Sequence, residues 1–262
     1  MKYVIAVANQ KGGVGKTTTA VNLAFELSRS GKAVLLIDMD PQGNASTHVG
    51  VAEAPDQATT WDWFQRRAPL KDVVHKLDSG MDVLGTTSDL TAIELQLLEA
   101  ADRTHRMRDL LQTENTYEYV IIDCPPSLNI LTINSLMCAT HVLIPMQCEY
   151  FALEGLSALL KTIEAVRESG NVDLDIDGIV RTMYDPRNKL AREVSRQLFD
   201  HFGTSVYRTV VPRNVRLAEA PSHGKPVQVY DPRSRGAIAH SALAHEMLRR
   251  HAKHNAVEQI NA

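Results

Sequence analysis

Three stretches hold residues whose types and spacing do chemistry. The first is Asn9-Gln10-Lys11-Gly12-Gly13-Val14-Gly15-Lys16-Thr17-Thr18-Thr19. Its glycines let backbone N–H groups turn inward around a polyphosphate. A helix starting directly after them adds free N–H donors and its positive dipole end. In such a loop Lys16 reaches the β- and γ-phosphates, and the Thr17 hydroxyl binds Mg²⁺. The second stretch, Asp38-Met39-Asp40-Pro41-Gln42-Gly43-Asn44, offers two carboxylates in a turn. The third, Tyr119-Val120-Ile121-Ile122-Asp123-Cys124-Pro125-Pro126-Ser127, is an apolar run that ends in a carboxylate.

These groups need a scaffold that brings them to one edge. Lys2–Ala8 is a β-branched apolar run and predicts a buried strand before the Gly-rich loop. Ala20, Leu23, Ala24 and Leu27 are spaced as the buried face of the helix after it. Ala33–Ile37 predicts a second strand and places Asp38 and Asp40 just past its carboxyl end, where open parallel sheets bind ligands. Tyr119–Asp123 predicts another. Further strands are expected at Asp82–Thr86, His141–Pro145, Asp177–Met183 and Val206–Val211. Helices are expected at Ser88–Leu111, near Ile130–Met137, at Ala152–Arg167, and from Lys189 through Phe202. Repeated strand–helix units with short connections imply an α/β fold: a mostly parallel twisted sheet with helices on both faces. Trp61, Trp63 and Phe64 suggest a short helix packed on the body, and Pro55 and Pro69 punctuate the loops around it. Arg103, Arg106 and Arg108 read as a solvated helix end.

The first motif departs from the common phosphate-loop pattern. Gln10 stands where that pattern has its first glycine, and a second lysine, Lys11, opens the loop. Lys-Gly-Gly-Val-Gly-Lys-Thr-Thr resembles the deviant Walker A signature of the ParA/MinD branch of P-loop ATPases. Asp-Met-Asp-Pro-Gln-Gly resembles that family's switch I. Val-Ile-Ile-Asp-Cys-Pro-Pro-Ser resembles its Walker B strand and switch II. The tract from Pro212 to Gly236 resembles chromosomal ParA (Soj-type) proteins in particular. The resemblance runs from Met1 to about Arg250.

What the resemblance implies can be stated residue by residue. The fold is a single-domain P-loop NTPase over residues 1–250, with a tail at 251–262. Gly12, Gly13, Val14, Gly15, Lys16, Thr17 and Thr18 bind the phosphates of ATP. Lys11, Lys16 and Asp40 serve hydrolysis, Lys11 by crossing a dimer interface to the partner's nucleotide and Asp40 by placing the attacking water. Thr17, Asp40 and Asp123 attend Mg²⁺. Met183, Pro212 and Asn214 hold the adenine. Arg187, Lys189, Arg213, Arg216 and Arg235 form a DNA surface, and Gln147-Cys148-Glu149-Tyr150 lies near the dimer interface. The implied partners are a second copy of the chain when ATP is bound, non-specific double-stranded DNA, and a ParB-type centromere-binding protein that stimulates slow hydrolysis. Such a protein is cytoplasmic and associated with the nucleoid.

Composition agrees with this reading and excludes others. The chain has 262 residues and a net charge of −3, but residues 181–262 carry 14 Lys and Arg against 7 Asp and Glu, whereas residues 1–180 carry 14 against 24. A basic end on an acidic protein points to a localised polyanion surface. Cys124, Cys138 and Cys148 form no CxxC pair and are odd in number, so they read as core thiols of a reducing compartment. They do not supply the paired cluster cysteines of a nitrogenase-iron-protein relative. No apolar run approaches the roughly 20 residues that span a bilayer. With the first strand predicted to begin at residue 2, neither a secretory signal nor an N-terminal helix-turn-helix is expected. Beyond Arg250, Val257 and Ile260 are the only large apolar residues, which argues against a membrane-positioning ATPase of the MinD type. A ParA-like ATPase that positions a protein cargo shares every motif named above. A metabolic synthetase demands a second-substrate constellation that the sequence does not offer.

Overall fold

The computed structural model describes residues 3–51, 58–86 and 90–261, with side chains described as far as residue 256. Met1, Lys2, Pro55, Ser88 and the side chains of Val257 and Ile260 lie outside the described residues.

The strands are β1 (Tyr3–Val7), β2 (Val34–Asp38), β3 (His75–Lys76), β4 (Asp82–Leu84), β5 (Tyr119–Asp123), β6 (His141–Gln147), β7 (Asp175–Thr182) and β8 (Val206–Val210). They form one sheet in the order β3-β4-β2-β5-β1-β6-β7-β8. Every neighbouring pair is parallel except β3 with β4. The central strands are apolar on both faces, as a doubly covered parallel sheet requires. Along β1, Ile5 and Val7 turn toward the layer containing the helix Lys16–Arg29 and Leu243, Ala244 and Met247 of the C-terminal helix Arg235–Asn261. Val4 and Ala6 turn toward the other layer, built from the helices Leu90–Glu99, Ile130–Cys138, Ala152–Glu168 and Lys189–Phe202. The period of two along each strand thus divides the core into two halves.

Register positions the chemistry. Val7 pairs with Asp123, and Asp123 pairs with Asp38. The three central strands therefore end level, and both carboxylates reach the same carboxyl edge as the loop that leaves β1. From β1 the chain crosses to β2 on one side, and from β5 it crosses back over β1 to β6. The crevice between these crossings is where ligands bind in open α/β sheets.

Tertiary packing adjusts several local expectations. The helical pattern through Leu111 is two helices, Leu90–Glu99 and Arg106–Gln112, separated by turns. The intervening Asp102 accepts from Arg106 at 2.6 Å, and Arg66 reaches it at 3.3 Å. Arg106 is accordingly a half-buried brace and not a solvated residue. The strand expected to Thr86 stops at Leu84, and β3, too short to carry a pattern, adds the antiparallel margin. Trp63 and Phe64 are core residues, packed edge to face.

The other margin, β8, is closed by side chains. Glu246 accepts from the N–H groups of Arg208 and Thr209, both at 2.9 Å, while Arg250 donates to the carbonyls of Thr204 and Val206, both at 3.0 Å. This acid–base pair, one helical turn apart, occupies the hydrogen-bonding groups that make an open strand a template for aggregation. The C-terminal helix continues through residue 250. His251 stacks on Tyr3 with 4.0 Å between ring centroids and bonds Asp177 at 2.6 Å, at the opposite edge of the sheet from the phosphate loop.

Candidate active site

The loop from Asn9 to Gly15 is anchored at both ends. Asn9 donates from Nδ2 to the Pro145 carbonyl at 2.8 Å and accepts the Lys11 N–H at 2.9 Å. Thr182, at the end of β7, donates its hydroxyl proton to the Val14 carbonyl at 2.7 Å. Gly13 and Gly15 have φ of 72° and 85°, a conformation that glycine adopts without steric cost. Gly15 begins the helix Lys16–Arg29, whose first turn has neither a side-chain cap nor an acidic residue. The N–H groups there remain available to an anion, and no acidic side chain in the first turn competes for them.

Lys16 is buried at 7% exposure and donates to the Lys11 carbonyl at 3.2 Å. Burial lowers its pKa, while Asp123, Cys124 and Asp40 act in the opposite direction. Asp123 is completely buried, and neither carboxylate oxygen has a hydrogen-bond partner among the described residues. Burial first, and then Asp38, push its pKa well above the usual carboxylate range; the nearby Thr17 hydroxyl tempers this without a hydrogen bond of ordinary geometry. An unpartnered carboxyl in the interior costs folding energy unless something cationic completes it. That is the strongest local indication of a cation site.

Asp38 and Asp40 divide the work of their turn. Asp38 is fully buried and accepts from the Ser46 N–H at 2.8 Å, the Ser46 hydroxyl at 2.7 Å and the Asp40 N–H at 3.2 Å. Burial nonetheless raises its pKa to about 6. Its oxygens are committed to holding the turn. Asp40 uses one oxygen to accept the Gln42 N–H at 3.0 Å, and it lies close enough to Lys16 to act on its charge. Of the pair, Asp40 is the less committed, accepting one hydrogen bond against three for Asp38 among the described residues.

The Lys11 backbone is part of the loop, but its side chain leads away to Glu149. Its ammonium pairs with Glu149, and the two side chains are 41% and 45% exposed. Beside Glu149, Tyr150 and Phe151 are 75% and 69% exposed.

Next to the loop lies a cavity of about 410 Å³ whose lining includes Gly15, Thr18, Met183, Pro212, Asn214 and His240. The structure thus brings together the three residues expected at the adenine. Met183 holds φ of 48°, a conformation that costs a non-glycine residue about 1 kcal/mol or more and concentrates at ligand sites. Asn214 caps the short helix Val215–Glu219 by accepting the Arg216 N–H at 3.1 Å. His240 forms part of the lining with its Nδ1 3.0 Å from the Gly236 carbonyl. Asn9, Ser46, Thr182 and His240 belong to this region without standing out in the sequence. Only Asn9 had a local signal, its place at the strand end.

The five expected DNA-contacting residues divide in two. Arg187 pairs with Asp185 at 2.8 Å, Lys189 with Glu193 at 3.8 Å, and Arg216 with Glu219 at 2.7 Å and Asp231 at 3.2 Å. Among the described residues the side chains of Arg213 and Arg235 make no hydrogen bond or ion pair, although Arg235 lies near enough to Asp185 to help lower its pKa. With Arg187 they line a depression of about 500 Å³. Met183, Pro212 and Arg213 line both this depression and the neighbouring cavity, so the two share a wall.

Comparison with known proteins places this arrangement. A family model described as an AAA domain matches residues 2–176. The chain is 49% identical over 251 residues to the chromosome partitioning protein ParA of Caulobacter vibrioides, covering 94% of each chain. It is 47% identical over 249 residues to the sporulation initiation inhibitor protein Soj of Bacillus subtilis, covering 94% of this chain and 98% of that one. Among solved structures, one described as cobyrinic acid a,c-diamide synthase from Mycobacterium smegmatis with bound ADP and magnesium matches at 34% identity. Its TM-score is 0.81, with 95% of each chain covered. Fold, phosphate loop and end-to-end identity converge: the chain belongs to the ParA/Soj family of chromosome-partitioning P-loop ATPases.

Proposed function

We propose that this ATPase is a dimerisation switch that binds DNA without sequence preference while ATP is bound, and that its slow hydrolysis drives segregation of a chromosome or plasmid with a ParB-type partner. The observation that carries the reading is Lys11. It is a second lysine in a phosphate loop, exposed, and held away from its own site by one exposed ion pair with Glu149. Pairs of that kind are worth about 0–1 kcal/mol, so Lys11 leaves Glu149 at little cost when another subunit offers polyphosphate.

The roles follow from placement. Backbone N–H groups of Gly12, Gly13, Val14, Gly15 and Thr18 cradle the phosphates, and Lys16 neutralises them from within the loop. The Thr17 hydroxyl, Asp40 and the orphaned Asp123 would hold Mg²⁺. Bound there, the ion would neutralise charge that develops on the transferred phosphoryl group. A hard cation of this kind needs only one or two protein carboxylates beside phosphate oxygens and water, which suits a site with few committed ligands. Asp40 orients the attacking water, while Asp38 keeps the turn that carries it. The solved relative with ADP and magnesium supports the same pairing of nucleotide and metal. Met183, Pro212 and Asn214 hold the adenine.

In the dimer Lys11 of each subunit touches the other's nucleotide, so the assembly is favoured only while the γ-phosphate is present. Dimerisation then joins two basic surfaces built from Arg187, Lys189, Arg213, Arg216 and Arg235. With roughly four phosphates neutralised per subunit, the dimer's affinity falls with a log–log salt slope of about −7. Backbone contacts carry no sequence information, which makes the binding non-specific.

The deciding experiment is binding to random-sequence duplex DNA without nucleotide, with ADP and with ATP, for wild type, Lys11→Ala, Lys16→Ala and Arg216→Ala. Salt-sensitive binding that requires ATP and is lost in all three variants supports the switch. Absence of binding in every nucleotide state rejects the DNA reading and leaves the ATPase standing.

A further inference from the structure

A second basic concavity lies away from the nucleotide crevice. It has a volume of about 770 Å³ and is lined by Arg208 of β8, by Arg249, Arg250 and Lys253 of the C-terminal helix, and by Phe199 and Gly203 at the end of the helix Lys189–Phe202. Arg250 and Glu246 are committed there, since they seal the backbone of β8. The Glu246 carboxylate accepts from the Arg208 and Thr209 N–H groups, the Thr209 hydroxyl at 2.7 Å and Arg250 at 2.8 Å. These donors hold its pKa below the usual carboxylate value against burial, and its charge is spent within the wall. Arg208, Arg249 and Lys253 are exposed, and none has a side-chain partner among the described residues. Three uncompensated cations therefore face one opening.

We infer that this cleft is a second phosphate-backbone site for duplex DNA, formed by Arg208, Arg249 and Lys253; the inference rests on the DNA reading above. Its position supports this occupant over a small anion. The cleft is open, and its free cations stand on flexible stems, with no buried donor aimed inward. It lies at one end of the helix Lys189–Phe202, and the Arg187, Arg213 and Arg235 depression lies at the other. A helix of 14 residues is about 20 Å long. Duplex DNA carries one charge per roughly 1.7 Å of axis, so a stretch of that length presents on the order of ten phosphates. A rigid polyanion can span both ends, whereas a single small anion cannot. The exposed face of the intervening helix mixes Lys189, Arg192 and Arg196 with Glu193 and Asp200, so the two ends act as separate anchors.

The test is a salt series of fluorescence anisotropy with ATP and Mg²⁺ on a random-sequence duplex longer than two helical turns. It compares wild type, Arg216→Ala, each of Arg208→Gln, Arg249→Gln and Lys253→Gln, and the triple variant. Thermal melting serves as the fold control. The triple variant is expected to bind at least about tenfold more weakly near 100 mM salt, with a log–log slope flatter by about 5, because both subunits of the dimer lose their contacts; each single variant flattens it by about 1.8. If wild type binds, Arg216→Ala is impaired and the cleft variants match wild type in affinity and slope, the cleft assignment is overturned and the DNA reading survives. If wild type itself binds no DNA with ATP, both fall together.

Discussion

Thr182, the last residue of β7, donates its hydroxyl proton to the Val14 carbonyl of the phosphate loop at 2.7 Å, across 168 positions of sequence. One hydroxyl thus ties the strand that leads to Met183, and to the cavity it lines, to the Gly-rich loop. Under the proposed function, this tie holds the base and phosphate subsites at a constant separation. Thr182→Val keeps the shape and removes the donor. Stability is expected to fall by about 1–2 kcal/mol, and ATP affinity by several-fold. Titration calorimetry beside denaturant unfolding checks this, and an unchanged ATP affinity would show that the loop keeps its shape without the tie.

Ser46 offers a way to separate turn geometry from nucleotide binding. Its hydroxyl donates to Asp38 and accepts the Thr86 N–H at 2.8 Å, while Asp38 in turn receives the Asp40 N–H. Ser46→Ala should leave ATP affinity within about twofold and lower kcat by about tenfold, because only the placement of Asp40 loosens; a tenfold rate change corresponds to 1.36 kcal/mol. Partner-free ATPase rates beside nucleotide-binding curves give the answer. A loss confined to binding would contradict the division of labour between the two aspartates.

Acid should destabilise the protein through two buried histidines. His48 and His240 are each lowered to about 4, mainly by burial, and the Nε2 atom of each lacks a partner among the described residues. The folded state keeps both neutral, whereas the unfolded chain takes up protons below the ordinary histidine value of 6.5. Their contribution is complete above that pH and is lost as pH falls toward 4, at roughly 3 kcal/mol per histidine. Denaturant unfolding at several pH values between 7.5 and 4.5 measures it. His48→Leu should flatten the dependence by about half, and an identical slope in the variant would remove the histidines as its cause.

Gly178 in β7 tests close packing at the far edge. A Cβ there would lie 2.7 Å from the Ser205 carbonyl oxygen and 2.7 Å from the Tyr207 ring. Tyr207 cannot easily move aside, because it is fully buried and donates to Asp177 at 2.6 Å. Gly178→Ala is expected to cost about 2–3 kcal/mol, or some 5–10 °C in Tm. A thermal melt within a degree of wild type would mean that β7 and β8 separate freely.

What the sequence determined by itself is the chemistry that is contiguous along the chain. The run from Asn9 to Thr19 carries its own backbone conformations, its own donors and its own lysine, so its spacing alone states what it binds. The strand ending in Asp123 and the turn from Asp38 to Asn44 are legible for the same reason. An apolar run that ends in a carboxylate, downstream of a phosphate loop, reads as a buried strand with its acid at the sheet margin. Alternation of strands and helices likewise determines a parallel sheet, because parallel neighbours require crossovers.

Tertiary structure decided everything that joins distant residues. Nothing near Lys11 indicates that Glu149 holds it, and nothing near Val14 indicates Thr182. The turns between Glu99 and Arg106 interrupt a pattern that reads as one helix, because Asp102 found Arg106 and Arg66. Arg250 and Arg249 are adjacent and identical in type, yet Arg250 closes β8 while Arg249 has no side-chain partner among the described residues. Successive helical residues point about 100° apart, so the fold spends one guanidinium on the sheet margin and turns the other outward.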